Sequence, residues 1–177
     1  TVEHYQQNIT DDEYTIKDTE DKIWTTEDDT AATGKNYPWF TMKPFNQQPI
    51  SGNGNTVIKI YYDRNVYTLT FDTATGTDVD PITGRYWADI WTIPEPELSG
   101  YTFKWWENYP EGGTMPVGDR VLTAIWEANT GTAYTVEHYL QKLDGTYPET
   151  PNYTDNLSGT TDTQTNAVAM SLSWFTA

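Results

Sequence analysis

The sequence predicts a mainly β protein with short helices, an α+β class, on three observations. Threonine is abundant, at 31 residues, and leucine scarce, and with many Val, Ile and Tyr this composition favours strands. Several stretches alternate apolar and polar residues with period two. Clusters of Gly, Asn and Pro separate those stretches in the manner of turns. Aromatic residues make up 15% of the chain, including 8 Trp and 13 Tyr. That bulk distinguishes it from a disordered acidic tail and is enough to build cores.

The first element is Thr1 to Gln7, where alternation puts Val2 and His4 on one face and Glu3 and Tyr5 on the other. The polar turn Asn8 to Asp12 leads to its expected hairpin partner, Tyr14-Thr15-Ile16. From Thr25 to Ala32, the leading threonines and the acidic Glu27, Asp28 and Asp29 predict a short helix, which Gly34 would end. Ser51-Gly52-Asn53-Gly54-Asn55 supplies a tight turn into the closing strand Thr56 to Tyr62. These elements form a first module, residues 1–64.

A second module, residues 65–128, opens on the strand Tyr67-Thr68-Leu69-Thr70-Phe71 and continues through the loop Gly76 to Gly84. Tyr86 to Trp91 reads as an amphipathic segment, after which Pro94 and Pro96 break regular pairing. Strands follow at Gly100 to Trp106 and Val121 to Trp126, with a turn at Gly112-Gly113 between them.

The third segment, residues 129–177, repeats the first. Thr1-Val2-Glu3-His4-Tyr5 recurs unchanged as Thr135-Val136-Glu137-His138-Tyr139, an offset of 134 residues. After one inserted residue, Pro38-Trp39-Phe40-Thr41 is matched by Ser173-Trp174-Phe175-Thr176. The third segment has no counterpart of Thr56 to Tyr62. A β module without its closing strand exposes backbone groups and an apolar face, so this unit is expected to be loose or completed by strand exchange with a neighbouring molecule. With neither a leader at Thr1 nor an anchor motif at Ala177, the chain reads as an excised fragment.

The middle segment resembles the Listeria-Bacteroides repeat, or internalin B-type B repeat. The matching residues are Phe71-Asp72, Gly100-Tyr101-Thr102-Phe103-Lys104-Trp105-Trp106 and Leu122-Thr123-Ala124-Ile125-Trp126. The flanking segments resemble mucin-binding-protein-type (MucBP) repeats, through Tyr134 to Tyr139 and through Gly54 to Asn65. The resemblance implies tandem small β-grasp-like modules in an exported bacterial cell-surface protein. It also implies an extracellular location and a role in spacing or adhesion.

Composition narrows the function classes independently. Ten Lys and Arg against 26 Asp and Glu give a net charge of -16, which repels nucleic-acid phosphates and anionic lipid. No apolar run approaches the roughly 20 residues needed to span a bilayer, so no membrane insertion is expected. Cysteine is absent, removing disulfides and thiolate chemistry. His4 and His138 occupy one repeated strand position and are expected to be structural. No Gly-x-Ser-x-Gly elbow accompanies them, and Asp28-Asp29 and Asp78-Val79-Asp80 lack calcium-loop spacing. The expectation is therefore not an enzyme, with no catalytic residue, metal or cofactor.

Trp87, Trp91, Trp105, Trp106 and Trp126 are candidates for stacking on sugar rings. Trp105 and Trp106 are the ligand-binding candidates, because neighbours on a strand point to opposite faces, leaving one for the core and one for solvent. The functional expectation is an extended stalk or spacer with an adhesive role. The alternative is a glycan- or mucin-binding module using an exposed tryptophan platform, with a surface glycoprotein or glycan as partner.

Overall fold

A computed structural model describes residues 1–175 of the chain; Thr176, last in the repeated Trp-Phe-Thr, lies outside the described residues. Among these residues the protein is mainly β, with ten strands in three sheets. Each sheet draws its strands from one of the three sequence segments. No helix is long and apolar enough to cross a membrane.

The first sheet contains β1 (Val2–Gln7), β2 (Tyr14–Glu20), β3 (Phe40–Met42) and β4 (Ile58–Arg64), in the order β2-β1-β4-β3. The β1-β2 hairpin is the expected one, and its turn is held by the Asp11 carboxylate, which accepts from Glu13 N–H at 2.9 Å and Asn8 Nδ2 at 2.8 Å. The central pair is parallel, with Val2 opposite Ile58, His4 opposite Ile60 and Gln6 opposite Tyr62. Alternation puts Val2, Ile58, Ile60 and Tyr62 on one face, where they form a core with Ala32. Trp24, Tyr37, Phe40 and Phe45 pack against that core. The turn into β4 has Gly54 at φ 76°, the left-handed geometry expected of its glycines.

The helix expected from Thr25 to Ala32 does not form. Its backbone groups find partners in the extended segment 47–50 instead. Glu27 N–H donates to Ile50 O at 3.1 Å, Thr30 N–H to Gln48 O at 2.8 Å, and Ile50 N–H to Asp28 O at 2.8 Å. Gln47 clamps the segment by accepting from the Thr30 hydroxyl and Ala32 N–H and donating to Ala32 O. Long-range pairing that buries Thr30 and Ala32 outweighs the helix-start signals, each worth about 1 kcal/mol. The one helical element among the described residues is a single 3-10 turn at Glu111–Gly113, so the short helices predicted for this fold are absent apart from that turn.

The second sheet contains β5 (Val66–Asp72), β6 (Ile82–Arg85), β7 (Tyr101–Glu107) and β8 (Arg120–Ala128), in the order β6-β5-β8-β7. It repeats the first arrangement. β5 is antiparallel to its hairpin partner β6 and parallel to β8 from Leu69↔Arg120 to Asp72↔Thr123. β6 begins inside the stretch Gly76 to Gly84 that was expected to be loop. The amphipathic segment 86–91 opens with a turn at Tyr86 and Trp87, after which Ile90 N–H donates to Gly113 O and Met115 N–H to Ala88 O. This buries Ile90 and Met115, and Leu69 and Leu122 are also fully buried.

The third sheet is the antiparallel pair β9 (Thr132–His138) and β10 (Tyr153–Gly159).

By packing, the chain divides into two compact units. The first holds Thr1–Asp72, Val79–Pro94 and Glu107–Thr123; the second holds Thr73–Asp78, Glu95–Trp106 and the residues from Ala124 on. In the second unit Gly100 O accepts from both Asn129 N–H and the Thr161 hydroxyl, and Thr161 N–H donates to Asn129 O. Gly100 has φ 83°, and a Cβ there would lie 2.9 Å from the Thr161 hydroxyl oxygen, so both backbone and space require glycine.

Candidate functional site

The expected division of the adjacent tryptophans is observed: Trp106 is 8% exposed and Trp105 57%. The burial pattern along β7 shifts by one residue between them, from Tyr101 and Phe103 to Trp106. Trp106 and Trp126 flank Phe103, with ring centroids 5.3 and 5.7 Å from it. Trp106 therefore offers no open ring face to a ligand, which sets it apart from Trp105 as a ligand-binding candidate. Beside Trp105, Lys104 Nζ donates to Glu127 at 2.8 Å.

The larger aromatic surface lies elsewhere, in the first unit. Trp39, Tyr86 and Trp87 form a row, with centroids 4.8 Å apart between Trp39 and Tyr86 and 5.5 Å between Tyr86 and Trp87. Trp39 is 42% and Trp87 56% exposed. Asn65, the single residue between β4 and β5, assembles the row through its backbone. Its N–H donates to Trp39 O at 3.0 Å, and its C=O accepts from Tyr86 N–H at 2.7 Å.

Both tryptophans have left-handed backbones, Trp39 at φ 66° and Trp87 at φ 70°, a conformation that bulky residues rarely adopt. Trp174, the repeat equivalent of Trp39, has φ 84°. The surrounding hydrogen bonds hold this strain, and Trp87 N–H donates to Met115 O at 3.0 Å.

Charged groups border the row. Arg64 stacks over Phe40 at 4.6 Å and donates to Gln7 O and Tyr86 O, and burial pushes its guanidinium pKa down. Arg85 donates to the carbonyls of Ile9 and Asp11 and pairs with the Asp12 carboxylate. The sequence pointed to Trp87 but not to its neighbour Tyr86, nor to Trp39, which lies far from both in the chain. The signal available was the repetition of Trp-Phe-Thr, which also repeats the unusual φ.

The two histidines sit in different surroundings. His4 is fully buried on a central strand of the first sheet. Its Nδ1 lies 2.9 Å from the Tyr62 hydroxyl, which accepts from Lys35 N–H at 2.8 Å. Nε2 faces Glu20 Oε1 at 3.2 Å, in a direction that does not make a hydrogen bond. His138 differs in that its Nε2 is hydrogen-bonded to the Asp155 carboxylate at 3.0 Å. Among the described residues, no three His, Asp or Glu side chains converge as metal ligands.

Glu20 is the most perturbed carboxylate near His4. Hydrogen bonds from Lys22 Nζ at 2.6 Å and Lys35 Nζ at 2.7 Å pull its pKa from 4.5 to about 2. Lys35 also pairs with Asp18, and its own pKa is raised by the two carboxylates. A carboxyl whose folded pKa is depressed stabilises the fold above its unfolded pKa and ceases to do so as pH falls through its folded pKa. Stability should therefore decline between pH 4.5 and about 2, and Glu20→Gln should flatten that part of the profile. Urea midpoints measured against pH for both proteins check this; parallel profiles would rule Glu20 out as a source of the acid sensitivity.

Comparison with protein-family models and with curated proteins gives no match to this chain.

Proposed function

We propose that the chain is a spacer segment of a bacterial cell-surface protein, built from β-grasp-like modules and carrying an adhesive aromatic contact. It performs no catalysis. The observation that carries the spacer reading is the Asn65 junction. One residue separates two sheets of the same strand order, and both its backbone groups and its side chain are bonded, the latter to the Thr41 hydroxyl at 2.8 Å. The Arg85 bonds to Asp11 and Asp12 add a second tie between the same two segments. A junction of this kind resists bending, which a flexible Gly/Ser linker does not. The high negative charge supports the reading, since like-charged neighbouring chains stay apart.

The test is 15N relaxation of the intact chain, comparing residues 2–64 with 66–72 and 82–90. One common correlation time is expected, and Asn65→Gly combined with Arg85→Ala should separate the two sets. Independent tumbling in the unaltered protein would overturn the spacer reading.

The glycan-binding alternative is favoured by one specific observation, the exposed and strained Trp39–Tyr86–Trp87 row. Indole faces stack on the apolar face of sugar rings, and bordering arginines and carboxylates would bond the hydroxyls. On a glycan and mucin array, saturable binding should be lost in Trp39→Ala and Trp87→Ala. Loss in Trp105→Ala alone would move the site to β7, and no binding by any form would leave the spacer role without adhesion.

A further inference from the structure

Strand ends in the first unit gather several of the few cations of this acidic chain. Gln7, at the end of β1, pairs with Tyr14 at the start of β2 and is bonded to Arg64 at the end of β4. With Lys43, just past β3, and Arg85, which ends β6, these residues line a surface cavity of about 500 Å³. Three of the chain's ten basic residues therefore meet at one place.

Two of these cations have carboxylate partners. Arg85 pairs with Asp12, whose side chain is 92% exposed. Lys43 Nζ lies 3.7 Å from Asp63 Oδ1 and donates to the Tyr14 hydroxyl at 3.2 Å, and that hydroxyl donates to Asp63. Arg64 is the unmatched one: among the described residues no carboxylate pairs with its guanidinium. Its bonds to Gln7 O and Tyr86 O are long, at 3.3 and 3.4 Å, and its Nη2 makes none. Burial pushes its pKa down and the neighbouring Arg85 acts in the same direction, the mark of a charge that the protein does not itself compensate. Gln7 Oε1 accepts from Arg64 N–H at 3.2 Å, which leaves the Gln7 amide NH2 without a bond among the described residues.

The cavity thus holds three cations against two carboxylates in a chain whose net charge is -16. A guanidinium short of a partner is matched by a planar oxyanion, which it can bind through two parallel N–H bonds. The field of the whole chain repels a ligand carrying many negative charges, so the fitting ligand has one such group on a neutral body. The aromatic row borders the same place: Arg64 donates to Tyr86 O and stacks over Phe40, the residue after Trp39, and Arg85 precedes Tyr86. Exposed rings of that kind accept the neutral face of a sugar.

We propose that this cavity binds a singly charged oxyanion carried by a sugar, a carboxylate or a sulfate ester, with Arg64 as its main contact and Lys43 and the Gln7 amide as flanking donors. The proposal rests on the glycan reading of the Trp39–Tyr86–Trp87 row and adds to it the class of sugar. Stacking on the row is indifferent to charge, whereas the cavity selects the anionic substituent.

The experiment titrates the full chain, by calorimetry at one salt concentration, with lactose, with sialyllactose, which adds a carboxylate, and with sulfated lactose. A charged sugar is expected to bind about tenfold tighter than lactose, the effect of one charge-assisted contact, and the tighter of the two names the substituent. Arg64→Gln should abolish that preference. Lys43→Gln, a change at an exposed side chain, should reduce it about threefold without touching the core. Trp39→Ala should weaken all three sugars together. Sodium acetate, against equal sodium chloride, should shift the Gln7 side-chain amide NMR signals, and Arg64→Gln should remove the shift. The proposal is overturned if acetate shifts nothing, or if the preference persists unchanged in either cavity variant. Lactose binding as tight as that of the charged sugars would overturn the oxyanion site and leave the row reading standing. An acetate shift with no binding of any sugar would overturn the row reading and, with it, the assignment of the anion to a sugar.

Discussion

Tyr62→Ala is expected to destabilise the first unit by about 3–5 kcal/mol, the range for removing a large buried aromatic ring. Tyr62 is 1% exposed and among the largest fully buried side chains. Its ring meets Tyr37 edge-on at 4.8 Å, and its hydroxyl lies between His4 Nδ1 and Lys35 N–H. Tyr62→Phe keeps the packing but deprives two buried polar groups of their oxygen, at a cost of about 1–3 kcal/mol. Urea unfolding followed by tryptophan fluorescence measures both. If the alanine variant loses no more than the phenylalanine variant, the ring is not the centre of this core.

Trp106→Ala should cost about 3–5 kcal/mol, and Trp105→Ala within about 0.5 kcal/mol, although the residues are adjacent and identical. The difference follows from burial alone, 8% against 57% exposure, and from the packing of Trp106 against Phe103. Thermal melts of the two variants decide it. Equal losses would mean that both rings carry core packing. The contrast also bears on binding assays: a ligand lost in Trp106→Ala can be lost through unfolding, whereas one lost in Trp105→Ala reports contact.

Much of the local structure was legible in the chain. Alternation from Val2 to Gln7 identified a strand and its buried face, and Asn8 to Asp12 identified the turn, because both signals are local. The repeat identified β9, and it placed His4 and His138 at equivalent strand positions. The segment from Thr25 to Ala32 misled because its helix-start residues are equally able to serve an extended strand. Only the distant Gln47 to Ile50 segment chose between those outcomes.

The candidate site was legible in kind but not in place. The tryptophan content pointed first to core building, and the Trp105-Trp106 pair was correctly split between solvent and core. Which one was buried depended on a shift in β7, and the Trp39–Tyr86–Trp87 row depended on Asn65 bonding to two turns remote from one another.

The sequence by itself determined the mainly β class, the first-strand repeat, the acidic surface and the positions of most strands. These follow from composition and period-two patterning, which each segment carries within itself. The tertiary structure alone decided the parallel pairing of β1 with β4 and β5 with β8, the absence of the expected helix, and which tryptophans meet solvent. Alternation states which face of a strand is buried but not which strand lies beside it, because backbone hydrogen bonds are the same for every residue and partners are selected only when distant side chains pack together.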